Sequence, residues 1–468
     1  MPTTDLPTTD RSNTHAVFKA YDVRGTVPDQ LDEELARRAG AAFVPVTGAS
    51  AIVVGHDMRP SSPALVAAFA AGAAEAGADV VLIGSASTDQ LYFASGDLDL
   101  PGAMFTASHN PARYNGIKLC RAGARPIGAE TGLHEIRDAV SQPERPPAAV
   151  RGEISRRDVL EAYAAHLLRL APVTGRRLKV VVDAGNGMAG LTAPVVFGRI
   201  GCTDEAGVEL VPMYFELDGT FPHHEANPIE PANLVDLQRR VVAERADVGL
   251  AFDGDADRCF VVDERGRAVS PSTLTALIAA RELAKEPGAT VIHNLITSRR
   301  VPELVTELGG RPVRTRVGHS FIKATMAETD AVFGGEHSGH FYFRDFWRAD
   351  SGMLAALHVL AALAASDLPL SGLLADYERY VLSGEINSEV ADPAAALAAV
   401  EAAYAGTPGV DVDHLDGLTV TTDDWWFNVR PSNTEPLLRL NVEGADEQTM
   451  TRMRDAVLTL IRTDRSTP

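Results

Sequence analysis

Short apolar runs alternate with stretches whose apolar positions recur every three or four residues along most of the chain. Residues 51–55, 80–83 and 102–105 read as buried strands, and helices are expected around 32–43 and 62–76. The pattern resumes with a helix over 157–170 and strands over 178–182 and 248–252. It returns again with helices over 272–285, 301–308 and 351–365 and strands over 290–293, 312–315 and 331–333. Strands alternating with helices of this length predict mainly parallel, helix-covered sheets. Beyond Gly372 the character changes to short strands over 417–422 and 437–443, with Leu438, Leu440 and Val442 on one face. A last helix carries Met450, Met453, Val457, Leu460 and Ile461 at helical spacing, which is a core stripe. The expected fold class is α/β, with three similar mixed α/β domains plus a smaller C-terminal α+β domain. The expected bounds are 1–150, 151–265, 266–372 and 373–468, with a Pro- and Arg-rich linker over 142–151.

Composition narrows the function classes. The chain has 468 residues, 45% hydrophobic and 23% charged, which is ordinary for a globular protein. No window is apolar enough for a membrane span, and the first sixteen residues lack the basic and apolar regions of a signal peptide. Three distant cysteines, Cys120, Cys202 and Cys259, imply neither a disulfide framework nor a zinc site, so a cytoplasmic location is expected. Forty-three basic residues against 63 acidic ones leave a net charge of −20, the wrong sign for a nucleic-acid partner. Any site for an anionic substrate must therefore concentrate its few cations locally.

Candidate chemistry sits in the turns after strands. Thr106-Ala107-Ser108-His109-Asn110-Pro111 follows the 102–105 strand, where ligands bind in such sheets, and places an exposed serine on a loop. An ordinary Asn-Pro turn fits the hexapeptide alone equally well. Asp253, Asp255 and Asp257 follow the 248–252 strand with only Gly254 and Ala256 between them. Carboxylates so close repel one another unless a cation joins them, and hard oxygen ligands suit Mg²⁺ or Ca²⁺. Glu264 stands at the twelfth position of an EF-hand count from Asp253, but Arg258 occupies the sixth, where that turn needs glycine. Asp183-Ala184-Gly185-Asn186-Gly187 lacks a dinucleotide fingerprint and reads as tight strand-to-helix packing. Arg430, Ser432, Asn433 and Thr434 could cradle a phosphate or form a polar turn. Glu336, Ser338 and His340 lie in a glycine-flanked loop whose donors and acceptors suit sugar hydroxyls, although a plain surface loop is the simpler reading.

The motifs TASHNP, DGDADR, GEHSGH and RPSNTEP, in that order and with Tyr21-Asp22-Val23-Arg24-Gly25 ahead of them, resemble the α-D-phosphohexomutase superfamily, most closely its bacterial phosphomannomutase/phosphoglucomutase branch. The resemblance spans roughly residues 15 to 462. It implies domains around a central cleft and a phosphohexomutase exchanging hexose 6-phosphate and hexose 1-phosphate of mannose, and of glucose as well. The exchange would run through phosphoserine at Ser108 and a hexose 1,6-bisphosphate. One Mg²⁺ per chain would bridge Ser108, Asp253, Asp255 and Asp257. Arg24, His109, Lys118 and Arg258 match positions around the transferring group, and His340 is the histidine read as the proton carrier. Tyr21, His319, Lys323, Glu336, Ser338, Arg430, Ser432, Asn433 and Thr434 match substrate-binding positions. The partners implied are sugar phosphates, with no nucleic acid or membrane, and the chain a monomer or homodimer. Many members carry Asp-Val-Lys where Asn294-Leu295-Ile296 stand here, which puts substrate preference in question and leaves phosphoglucosamine mutase as the alternative.

Overall fold

The structure is a computed structural model that describes residues 15–143, 146–431 and 437–462. The chain packs into two compact units, one of Met1–Ser270 with Ser338–Ser371, the other of Pro271–His337 with Gly372–Pro468.

The first unit holds two mixed sheets. In one, the strands Gly102–Phe105, Ala51–His56, Asp79–Ser85 and Ile154–Arg156 run parallel in that spatial order. Tyr114–Arg121 pairs antiparallel with Gly102–Phe105, and Val23–Thr26 closes that edge. The expected linker is therefore no free tether: Ala148 and Gly152 donate backbone hydrogen bonds to the Glu75 and Ala74 carbonyls, and the chain then joins the sheet as Ile154–Arg156. Phe43, Phe69 and Phe105 are buried together between the helices and this sheet. In the second sheet, Val208–Met213, Leu178–Asp183 and Val248–Phe252 are parallel, and Cys259–Asp263 returns antiparallel to Val248–Phe252. The hairpin strands Phe341–Phe343 and Ala349–Asp350 and the apolar helix Gly352–Ala364 complete this unit.

The second unit carries the parallel strands Arg311–Thr315, Thr290–Asn294 and Phe333–Gly335. It also carries an antiparallel sheet in the order Val381–Glu389, Leu437–Gly444, Trp425–Pro431, Leu418–Thr421, Asp411–Asp413. The helix Glu447–Arg462 lays Met450, Met453, Val457 and Ile461 on that sheet, as its spacing predicts. Leu295 and Ile296 are buried in an apolar cluster with Trp426.

Among the described residues no helix is long and apolar enough to cross a membrane. None of the three cysteines forms a disulfide: Cys120 and Cys259 are buried and Cys202 is exposed.

Candidate active site

Both chemistry-bearing loops of the first unit are hairpin tips. Phe105 pairs with Ile117, so Thr106–Asn110 caps a hairpin at the carboxyl end of a parallel strand. Phe252 pairs with Cys259, so Asp253–Arg258 does the same in the second sheet. Gly254 brings the tips together, because a Cβ there would lie 2.5 Å from the Ser108 carbonyl oxygen. Gly187 lets the neighbouring loop approach in turn: its Cβ would lie 2.7 Å from the Gly254 oxygen, and Met188 N donates to that oxygen.

Ser108 is the meeting point. Its hydroxyl donates to Asp253 Oδ2 at 2.8 Å, across 145 residues of sequence, and lies 3.1 Å from His109 Nδ1. Its backbone is left-handed, with φ at 50°. The sequence places this serine in the open; the structure buries it to 5% exposure, because the acidic loop packs over it. Arg258 bonds Asp253 through Nε at 2.9 Å and reaches Ser108 Oγ at 3.5 Å and His109 Nδ1. A guanidinium can only donate, so Nδ1 of His109 is the unprotonated nitrogen. Burial, with Arg258 and Arg24 nearby, holds the His109 pKa well below 6.5, and the ring is neutral.

The carboxylates Asp253, Asp255 and Asp257 are buried, with an oxygen of each within 4.8 Å of the others. Burial, opposed by Arg258 and helped by the two neighbouring carboxylates, raises Asp253 above the usual carboxylate range. Burial would raise Asp255 too, but the Lys118 ammonium and the Thr88 hydroxyl overturn that and hold it below the usual carboxylate range. Lys118 bridges Asp255 Oδ2 and Asp257 Oδ2 at 2.7 and 2.5 Å, and the pair keeps it charged despite burial. Oδ1 of Asp255 and Oδ1 of Asp257 are buried with no hydrogen-bond partner. Two orphaned carboxylate oxygens beside a third carboxylate and a serine hydroxyl fit a hard divalent cation. Glu264 is engaged elsewhere, accepting from the Ser371 amide and hydroxyl, which disposes of the EF-hand count.

The other expected residues fall in two groups. Arg24 bonds Asn110 Oδ1 at 3.0 Å and pairs with Asp22, holding the far side of the serine loop, and Tyr21 is half-buried beside it in sequence. His340 shares a β-bridge with Arg258, sets Nε2 3.7 Å from Asp257 Oδ1, and meets the Ser338 hydroxyl at 3.0 Å. In the second unit, Glu336 is buried and accepts from the Gly318 amide at 3.2 Å, and Lys323 is buried on the helix His319–Thr329. The His319 side chain lies outside the described residues, as do Ser432, Asn433 and Thr434. Arg430 pairs with Glu385 at 2.7 Å, and Arg439 shares that carboxylate.

Sequence reading missed Arg59. Arg59 is 1% exposed and its guanidinium donates to the carbonyls of Ser108, Asn110, Pro111 and Tyr114. The only signal was a carboxylate two residues earlier, Asp57, which pairs with Arg59 Nε at 3.1 Å.

Four stretches match family models in chain order. The matches are Phosphoglucomutase/phosphomannomutase, alpha/beta/alpha domain I over residues 15–146, domain II over 161–266, domain III over 270–380, and the C-terminal domain over 385–460. A phosphomannomutase of Salmonella montevideo is 42% identical over 92% of this chain and 95% of its own. A phosphohexose mutase protein of Xanthomonas campestris pv. campestris is 43% identical over 93% and 97%. A crystal structure of a phosphoglucomutase/phosphomannomutase family protein from Burkholderia thailandensis superposes with a TM-score of 0.86 at 33% identity, covering 97% of this chain and 98% of the other. Fold, matches and site together define a phosphohexomutase, an isomerase that moves a phosphoryl group on a sugar. The chain belongs to the phosphoglucomutase/phosphomannomutase family.

Proposed function

We propose that this mutase interconverts the 6- and 1-phosphates of mannose, and of glucose as well, by way of phosphoserine at Ser108 and a hexose 1,6-bisphosphate. The observation that carries the reading is the 2.8 Å contact between Ser108 Oγ and Asp253 Oδ2, which sets an acceptor oxygen against a cation-shaped cluster. In the forward step a sugar hydroxyl oxygen attacks the phosphorus of phosphoserine. The new sugar O–P bond forms as the Ser108 O–P bond breaks, and the hydroxyl proton passes to His340. Ser108 Oγ leaves as an alkoxide beside Arg258; after the bisphosphate turns over it attacks the opposite phosphate, the sugar O–P bond breaks, and the sugar oxygen takes the proton back from His340. Arg258 and Lys118 supply fixed positive charge to phosphoryl oxygens in flight.

Mg²⁺, one per chain, is the cation assigned to Asp253, Asp255, Asp257 and the Ser108 oxygen; when bound it neutralises charge on the phosphoryl group. By family resemblance Glu336 and Ser338 hold sugar hydroxyls, Tyr21, His319 and Lys323 orient the substrate, and Arg430, Ser432, Asn433 and Thr434 grip the phosphate that is not reacting. Contacts confined to the 3- and 4-hydroxyls would admit mannose and glucose alike. The test is Ser108→Ala, assayed with mannose 1-phosphate, glucose 1-phosphate and glucosamine 1-phosphate. Loss of turnover on every sugar with binding retained is expected, and near-normal rates would overturn the reading. Activity of the unaltered enzyme confined to the glucosamine phosphate would replace the hexose assignment.

A further inference from the structure

Beneath the serine loop lies a buried ionic clamp with no part in the bond-making just described. Arg59 spends all five of its N–H donors. Nε goes to Asp57 Oδ2, Nη1 to the Pro111 and Tyr114 carbonyls at 2.9 Å each, and Nη2 to the Ser108 carbonyl at 2.9 Å and the Asn110 carbonyl. Asp57 is fixed in its turn: its Oδ1 accepts from the Arg59 amide at 3.0 Å and from the Ser62 hydroxyl at 2.7 Å. Asn115 Nδ2 donates to the Ser62 oxygen at 3.0 Å and closes the ring of contacts back onto the hairpin strand. On the other side, the Phe221 ring covers the guanidinium at 5.3 Å, and a Cβ on Gly219 would lie 2.6 Å from Arg59 Cα.

The held backbone is an unfavourable one. A non-glycine residue in the left-handed region is sterically disfavoured and persists only where its surroundings over-determine it. Ser108 sits there, with φ at 50°. Two features converge on its carbonyl oxygen: the Arg59 Nη2 hydrogen bond, and the bare Cα of Gly254 pressed against it from the acidic loop. Turning that peptide would swing Oγ away from Asp253. Reaction by in-line transfer is steeply sensitive to such a turn, since a displacement of about 1 Å costs about 10²-fold in rate.

We infer that Arg59, braced by Asp57 and opposed by Gly254, is the positioning residue that holds Ser108 in its left-handed conformation and aims its hydroxyl for phosphoryl transfer. The inference rests on the phosphoserine reading above. It requires kcat, and the rate at which Ser108 takes up a phosphoryl group, to fall while sugar-phosphate affinity holds.

The experiment compares wild type, Arg59→Lys, Arg59→Ala and Gly254→Ala as full chains. Each is dephosphorylated, mixed with glucose 1,6-bisphosphate and Mg²⁺, and followed by intact mass; kcat and KM are measured separately, and folding by thermal unfolding. A lysine can restore at most part of the four-carbonyl grip, so Arg59→Lys should remain folded and lose about 10²-fold in both phosphorylation rate and kcat, with KM within about twofold. Arg59→Ala should regain part of its kcat when guanidinium ion is added at millimolar concentration, which a general loss of stability would not do. Gly254→Ala should show the same kcat-against-KM split from the opposite side. A folded Arg59→Lys enzyme with wild-type phosphorylation rate overturns the inference, as does a fall explained wholly by the unfolded fraction. If wild type itself takes no phosphate on Ser108, the phosphoserine reading fails instead, and the two failures are told apart by that control.

Discussion

Lys118 holds two buried carboxylates together, and its removal separates charge balance from catalysis. Replacing it by methionine leaves Asp255 and Asp257 facing one another with no cation between them. Loss of one partner of a buried ion pair costs about 3–5 kcal/mol. We predict that Lys118→Met unfolds at lower denaturant than wild type in chelator, and that Mg²⁺ recovers much of the difference, as read by urea unfolding with and without the ion. Turnover should stay low in both conditions, because the ion restores the charge and not the ammonium. His109 makes a second residue-scale prediction. Its folded pKa lies well below its unfolded value near 6.5, so the unfolded chain binds more protons below that pH. Its contribution to stability is complete above about pH 6.5 and is lost as pH falls toward the depressed folded value. Urea unfolding at pH 5 and pH 7.5 should differ less for His109→Asn than for wild type.

At the scale of elements, the sequence pattern showed the incoming strand of each active hairpin and hid the returning one. Tyr114–Arg121 contains Asn115-Gly116, a pair that ordinarily marks a turn. Here it lies inside a strand with neighbours on both sides, and Gly116 is needed because a Cβ would meet the Val23 oxygen at 2.4 Å and the Thr106 oxygen at 2.8 Å. The helix Thr88–Leu98 escaped notice because its first eight residues, apolar and polar alike, are all buried, which erases the amphipathic stripe. Its polar start is functional in placement: the Thr88 hydroxyl and amide both bond Asp255. Ile296 belongs to this scale too. Where many relatives are expected to carry lysine, this chain packs an isoleucine against Trp426. Ile296→Ala should lower unfolding stability by about 2–5 kcal/mol. Ile296→Lys should not restore a family-like enzyme but destabilise it further, since an unpaired ammonium would enter an apolar cluster.

For the molecule as a whole, a net charge of −20 coexists with a local concentration of cations at the site, each paired with a carboxylate. Arg24, Arg59, Lys118 and Arg258 all gather around the serine and acidic loops of the first unit. Bound cation should therefore act on global stability through one place. Mg²⁺ at 100 times its Kd should stabilise the native state by about 2.7 kcal/mol, and Asp255→Asn should remove most of that shift in a thermal melt. Motif spacing made Ser108, the acidic triplet and the α/β alternation legible, because each depends on residues adjacent in the chain. It could not reveal the Arg59 clamp, whose carbonyl partners lie about fifty residues on and are chosen by backbone geometry that no side-chain pattern encodes.

The first unit is also interrupted: Ser338–Ser371 returns to it only after Pro271–His337 has been made. Ser351 supplies a hydroxyl to buried Asp89, and the Arg258–His340 bridge closes the acidic loop from the same late segment. On the ribosome, then, Ser108 and its acidic neighbour would be synthesised long before their support is complete. A nascent chain stalled just beyond Ser270 should be readily cut by protease within that unit, whereas one released past Ser371 should resist.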